Sequence, residues 1–342
     1  MKERYDNLDG LRAISCLGII AMHILANSDY RLGAIGVKVI LSWTQFVPLF
    51  LMISGFGMFC GYYDKMKNGE IDLNVFYSKR YKKLLPFFIT LILIDVVMDR
   101  SLAHVIEGIT EATLVFGLLP NNQPEVIGVC WTLGIIFLFY MLFPFIVYLC
   151  WNKRRAWCAF IASIALSLLC SLYFFSDQYV VEDFAARHNF LYCAPFFMGG
   201  GIVYLNREAI KGFVQRFRWL WLAACVCLTA LWYLMPGEVS GLDVTMPKNL
   251  VLFLPWLMYA IGVKSRILSN KVMSYLSGIS LELYLAQMVI FRVVEKAHAL
   301  YLFGKGWLSF ISAWLMVVVG LMVFIEVWKR FWAIVNRRIL EM

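Results

Sequence analysis

The chain has 342 residues, of which 62% are hydrophobic and only 15% charged, and its mean hydropathy is +0.74. Too little polar surface is available to keep a chain of this length in water, which excludes a soluble enzyme or a soluble nucleic-acid-binding domain. The net charge of +9 therefore belongs in loops beside anionic lipid and calls for no nucleic-acid partner.

A helix needs about 20 mostly apolar residues to cross ~30 Å of hydrocarbon. Runs of that kind lie at 9–27, 34–60, 82–98, 126–150, 156–176, 188–205, 217–236, 249–264, 272–295 and 307–328. They predict an all-α polytopic bundle of about ten transmembrane helices in a single membrane domain, 1–342. The segment 101–120 is interrupted by Glu107 and Glu111 and stopped by Pro120, so it is expected as a re-entrant or interfacial helix. The first run is long and holds Asp9 and Arg12, so it is expected to be retained as a span and not cleaved as a signal peptide.

The basic residues set the orientation. With the N-terminus inside, the cytoplasmic segments hold Lys2 and Arg4, the cluster Lys65, Lys67, Lys79, Arg80, Lys82 and Lys83, and then Lys153 to Arg155. They go on to hold Arg207, Lys211, Arg216 and Arg218, then Lys264, Arg266 and Lys271, and finally Lys329, Arg330, Arg337 and Arg338. The outer loops keep only Arg31, Arg100, Arg187, Lys248, Lys296 and Lys305. This bias predicts cytoplasmic termini and a multi-pass protein of the cytoplasmic (plasma) membrane. The nine cysteines fall mostly inside spans as small apolar residues, and no metal is expected.

Ionisable side chains within spans are costly and mark candidate sites. In the first run Arg12 and His23 are eleven residues apart, which is three helical turns plus about 20°, so both share one face ~16 Å apart along the axis. Asp9 lies one turn below Arg12. The plain alternative is a snorkelling Arg and a packed His. Glu282 and Arg292 are out of phase on their span, while His104, His188 and His298 fall in outer loops or span ends.

The order Asp9-Gly10-Leu11-Arg12 … His23 resembles the opening motif of the type 3 membrane acyltransferase family, and further matches follow along nearly the whole chain. Phe50 to Phe56 resembles its Ser-Gly-Phe span, and Arg80 with the basic residues before Pro86 its basic loop. Trp131-Thr132-Leu133, Phe139-Tyr140 and Pro144 resemble its Trp-Ser-Leu … Phe-Tyr … Pro stretch. Ser280 to Leu285 resembles its late Ser-Tyr-x-x-Tyr-Leu block, and Ile325-Glu326 its closing pair. Three positions depart: Ile136 stands where a Glu is common, Gln287 where a His is common, and Val327 where a Pro follows.

The resemblance implies a membrane O-acyltransferase, most simply an O-acetyltransferase. It would move an acyl group from cytoplasmic acetyl-CoA to a hydroxyl of a glycan or lipid-linked sugar. His23 is then the expected base or acyl carrier, with Arg12 and Asp9 beside it. A neutral imidazole suits this role near pH 7. Arg80, Lys83 and Ser54 would hold the donor, since guanidinium groups suit phosphates. Trp131, Tyr140, Arg187, Tyr284 and Glu326 would contact substrate. The competing expectation is a transporter or flippase without covalent chemistry, against which no repeat or paired broken helices are detected.

Overall fold

The computed structural model describes residues 5–98, 100–118, 126–175, 178–180, 184–239 and 242–340. The expected charges at Lys2 and Arg4 and the Pro120 stop lie outside these residues, as does the side chain of Arg338. The described residues are almost entirely helical. They form α1 (Asp6–Ala26), α2 (Gly33–Lys67), α3 (Leu73–Met98), α4 (Leu102–Ala112), α5 (Trp131–Leu149) and α6 (Lys153–Phe174). These are followed by α7 (Phe190–Leu205), α8 (Arg207–Arg216), α9 (Arg218–Leu234), α10 (Thr245–Gly262), α11 (Lys271–Gly278), α12 (Ser280–Lys296) and α13 (Trp307–Leu340). A two-residue hairpin pairing Glu238 with Asp243 is the only named sheet among them.

Among the described residues, five helices are long and apolar enough to cross a membrane: α1, α2, α5, α6 and α13. Counting each bent pair, α8 with α9 and α11 with α12, as one span raises this to seven. The chain is thus a multi-pass membrane protein. The remaining expected spans are helices that fall short for visible reasons. The basic cluster Lys79–Lys83 lies in the first half of α3, α7 has only 16 residues, and α10 opens on Thr245 with Lys248 and Asn249 close behind. The ambiguous segment 101–120 contains the 11-residue α4, capped by the Ser101 side chain, too short to span.

The chain divides into two compact units. One holds Met1–Leu8 and Val47–Ser269, the other Asp9–Phe46 and Asn270–Met342.

In the first unit α2 and α7 meet backbone to backbone. A Cβ on Gly55 would collide with the Phe197 carbonyl, and one on Gly200 would collide with the Met52 carbonyl and come within 2.7 Å of the Phe56 nitrogen. Hydrogen at these two positions lets the helices close, as small residues do in membrane bundles where water drives no association. Around this contact the aromatic core assembles, with Phe139 stacked on Phe197 at 4.4 Å and Phe59 edge-on to Phe143 at 5.5 Å. Tyr63 donates to the Cys150 carbonyl (2.8 Å) and Lys67 to the Trp151 carbonyl (2.9 Å), tying the end of α2 to the end of α5. Asn7 is buried and bonds the carbonyls of Ala260 and Val263, while its own carbonyl accepts from the Ser265 amide. Each polar side chain thus meets a backbone group that lipid cannot satisfy.

In the second unit Cys16 reaches the Ser280 carbonyl (3.5 Å) and Trp314 donates to the Leu17 carbonyl (3.1 Å), joining α1 to α12 and α13. Gly320 admits Ile290, whose Cγ2 lies 2.8 Å from where a Cβ would stand. At one end of the unit the segment after α1 is stitched to the segment before α13. Arg31 N–H donates to the Lys305 carbonyl (2.7 Å), Lys305 pairs with Asp29 (3.0 Å), and Tyr30 donates to the Leu300 carbonyl.

Candidate functional site

In the second unit α1 runs unbroken through Asp9, Arg12 and His23, so the shared face read from the spacing exists on a regular helix. All three side chains are partly buried. Ser277, at the end of α11 and itself buried, donates to Asp9 Oδ1 at 2.8 Å. This bond fixes the carboxylate one turn from Arg12. Between α11 and α12 the chain bends by 71°. On α12 Tyr284 is buried, and its carbonyl accepts from Gln287 Nε2 at 2.8 Å. The Gln287 amide, at the position where the resemblance implies a His, thus donates within its own helix. Near the basic end of α13, Glu326 accepts from the Tyr275 hydroxyl (3.0 Å) and pairs with Lys329 (3.3 Å).

In the first unit Arg80, Tyr140 and Ser54 come together. The Arg80 guanidinium carbon lies 4.6 Å from the Tyr62 ring centroid, 5.1 Å from that of Tyr140 and 5.3 Å from that of Phe76. Three aromatic faces hold the cation in one orientation and shield it from solvent. Arg80 Nε is buried and has no hydrogen-bond partner among the described residues. The Tyr140 hydroxyl is 3.2 Å from Ser54 Oγ. Ser54 and Gly55 are adjacent, so their side-chain positions point about 100° apart on α2: the Gly closes the helix contact with α7 while the Ser meets Tyr140. Lys83, by contrast, is exposed.

Trp131 opens α5 and is buried, with its ring stacked on His188 at 4.2 Å and 23°. Arg187 sits in the turn Ala186–His188 with an exposed side chain, and its carbonyl accepts from the Cys193 thiol. His104, expected to be ordinary, faces Asp95 at 3.3 Å.

Two features were not anticipated from sequence. Glu111 on α4 is buried, with 1% exposure, and accepts from the Ile127 amide at 3.2 Å. Burial pushes its carboxyl up to about 7, against the pull of the Ile127 and Cys130 hydrogen bonds, with Glu107 and Asp95 adding repulsion. The second is a pocket between α2, α7 and α8, walled in part by Tyr5, Asp64, Lys65, Tyr204 and Arg207. Its members are scattered over some two hundred positions of the sequence, and none belongs to a family motif noted above. No group of His, Cys, Asp or Glu among the described residues has the makings of a metal site.

The acyltransferase-domain model of the type 3 family matches residues 5–326. The chain belongs to that family of membrane O-acyltransferases and is an acyltransferase. Neither a curated protein nor a solved structure matched it.

Proposed function

We propose that this acyltransferase takes its acyl group, most simply acetyl, from cytoplasmic acyl-CoA and transfers it to a hydroxyl of a glycan or lipid-linked sugar. The observation that carries this reading is the unbroken helix α1, on which His23 shares a face with Arg12 and Asp9, in a chain whose family transfers acyl groups. The ~16 Å from Arg12 to His23 matches the reach of an extended pantetheine arm.

In this mechanism His23 removes the proton of the acceptor hydroxyl as that oxygen attacks the thioester carbonyl. The tetrahedral intermediate collapses, the C–S bond breaks, and the departing thiolate takes up a proton. Arg12 holds donor phosphate, and Asp9, anchored by Ser277, orients Arg12. Arg80 supplies a second cation, and its unpartnered Nε suits a phosphate or carbonyl oxygen. Lys83 adds positive charge near the donor, and Ser54 lines the path of the acyl arm. Trp131, Tyr140, Arg187, Tyr284 and Glu326 are assigned to substrate contact. The proposal includes ten spans, cytoplasmic termini and a place in the plasma membrane.

The test is purified protein given radiolabelled acetyl-CoA and a glycan or lipid-linked sugar acceptor. Thioester loss should disappear in His23→Ala and persist in His298→Ala. Equal turnover by both variants and the parent would remove His23 from the chemistry. Flux of an intact substrate without any acyl donor would favour a transporter instead. Reporter fusions at the C-terminus check the topology, and an extracytoplasmic signal overturns it.

A further inference from the structure

The pocket beside the end of α2 has a lining that the acyl-transfer chemistry above does not use. It encloses about 260 Å³, just below the ~300–1,000 Å³ of sites that take whole small molecules. It therefore suits one end of a larger ligand. Tyr5 and Tyr204 give it aromatic walls, Lys65 and Arg207 cationic donors, and Asp64 and Glu208 carboxylate acceptors.

The lining is held by interactions within the same unit. Tyr204 donates to Asp64 Oδ2 at 3.0 Å, and Arg207 lies over the Tyr204 ring at 4.2 Å while its Nη1 donates to the Tyr204 carbonyl at 3.1 Å. Arg207 Nε also faces Glu208 at 3.4 Å. Lys211, one turn further along α8, stands over the Tyr5 ring at 4.6 Å and lies 4.0 Å from Glu208. Lys65 is exposed.

The backbone opens where the pocket begins. Residues Phe59–Tyr63 of α2 form a π-turn, a local widening of the helix often found at functional sites. Two pocket residues, Cys60 and Gly61, lie on it. Gly57 and Gly61, one turn apart, both face open space, and Gly57 continues that face toward Ser54. From Lys65 to Ser54 is eleven residues, or ~16 Å along the helix. An arm laid along α2 from this pocket therefore passes toward Ser54, the residue given above to the path of the acyl arm.

We infer that this pocket binds the purine nucleotide end of the acyl-CoA donor, an assignment that rests on the acyl-CoA reading above. A purine presents an aromatic face to tyrosine and an exocyclic amine to a carboxylate. The ribose 3′-phosphate presents oxygens to Lys65 and Arg207, and the diphosphate, nearer the arm, is left to the cations assigned above. Phosphate at this position has one other source, the headgroup of an anionic lipid.

The experiment uses full-length protein in nanodiscs of neutral phosphatidylcholine. Lys65→Ala alters an exposed side chain and is expected to fold, and Arg207→Lys keeps the charge while changing the geometry. Direct titration with adenosine 3′,5′-bisphosphate should show saturable binding that weakens about ten- to hundredfold in Lys65→Ala. KM for acetyl-CoA should rise similarly, while KM for acetyl-pantetheine, which lacks the nucleotide, stays within about twofold. Bisphosphate binding unaffected by either substitution, or equal losses with both donors, overturns the assignment. So does competition by phosphatidylglycerol nanodiscs without any purine requirement, which would assign the pocket to lipid. Parent protein that binds bisphosphate through Lys65 but turns over neither donor would keep the pocket and sink the acyl-transfer reading.

Discussion

The guanidinium of Arg80 lies 5.1 Å from the centre of the Tyr140 ring, and the hydroxyl of that ring is 3.2 Å from Ser54 Oγ. Tyr140 therefore offers its face to a cation and its edge to a hydroxyl. Those two functions can be separated by substitution. Tyr140→Phe keeps the face and removes the hydroxyl. It should leave KM for acetyl-CoA within about twofold of the parent while lowering kcat. Tyr140→Leu removes both and should also raise KM by about two- to thirtyfold, the span of a cation–aromatic contact. Steady-state kinetics on both variants decides this, and identical behaviour of the two would mean the ring face does not position Arg80.

His23→Ala should lower acyl transfer by about a hundred- to ten-thousandfold, the usual contribution of a positioned general base. His23→Gln tests the same position with a side chain that hydrogen-bonds but cannot serve as the base, and it should be equally inactive. Circular dichroism and size exclusion on the same samples separate lost chemistry from lost fold.

The contact of α2 with α7 predicts a stability effect with no catalytic component. Gly55→Ala or Gly200→Ala places a methyl group against backbone that cannot move aside. Each should destabilise the protein by about 1–3 kcal/mol, as overpacking does. Gly57→Ala, which faces open space, should leave the melting temperature unchanged. Thermal unfolding in one detergent compares all three.

Glu111 makes the protein pH-sensitive in a stated direction. Its carboxyl is raised by burial from 4.5 to about 7, so the folded state binds the proton more tightly than the unfolded chain. Stability then falls as pH rises from about 4.5 to about 7 and stays lower above that, by on the order of 3 kcal/mol. Glu111→Gln, always neutral, should lose this dependence. Melting temperatures of parent and variant across that range provide the check, and parallel curves would show that Glu111 carries no such charge penalty.

Much of this was legible in the chain. The apolar runs mark where the long helices lie, and the eleven-residue spacing of Arg12 and His23 fixes their shared face, because both depend only on local periodicity. The number of helices that satisfy a span criterion was less legible. The basic residues in α3 lie inside one continuous helix, α7 is short, and α10 has a polar start, so an apolar run alone does not give the helix its bounds. The roles of Ser54 and Gly55 could not be divided in advance, since they depend on Phe197 and Tyr140, far along the chain. Glu111 was visible as a charge interrupting an apolar segment. That it turns inward onto the Ile127 amide is a tertiary fact with no local signature. The Tyr5–Arg207 pocket was hidden for the same reason.

The 34-residue helix α13 extends ~51 Å at 1.5 Å per residue, against ~30 Å of hydrocarbon. Its basic last third, bearing Lys329, Arg330 and Arg337, must stand clear of the acyl chains as a stiff mast. A spin label or fluorophore on that stretch would sit at the membrane surface, at the end of a continuous helix. It would report on the surroundings of that helix end without touching any residue of the proposed chemistry.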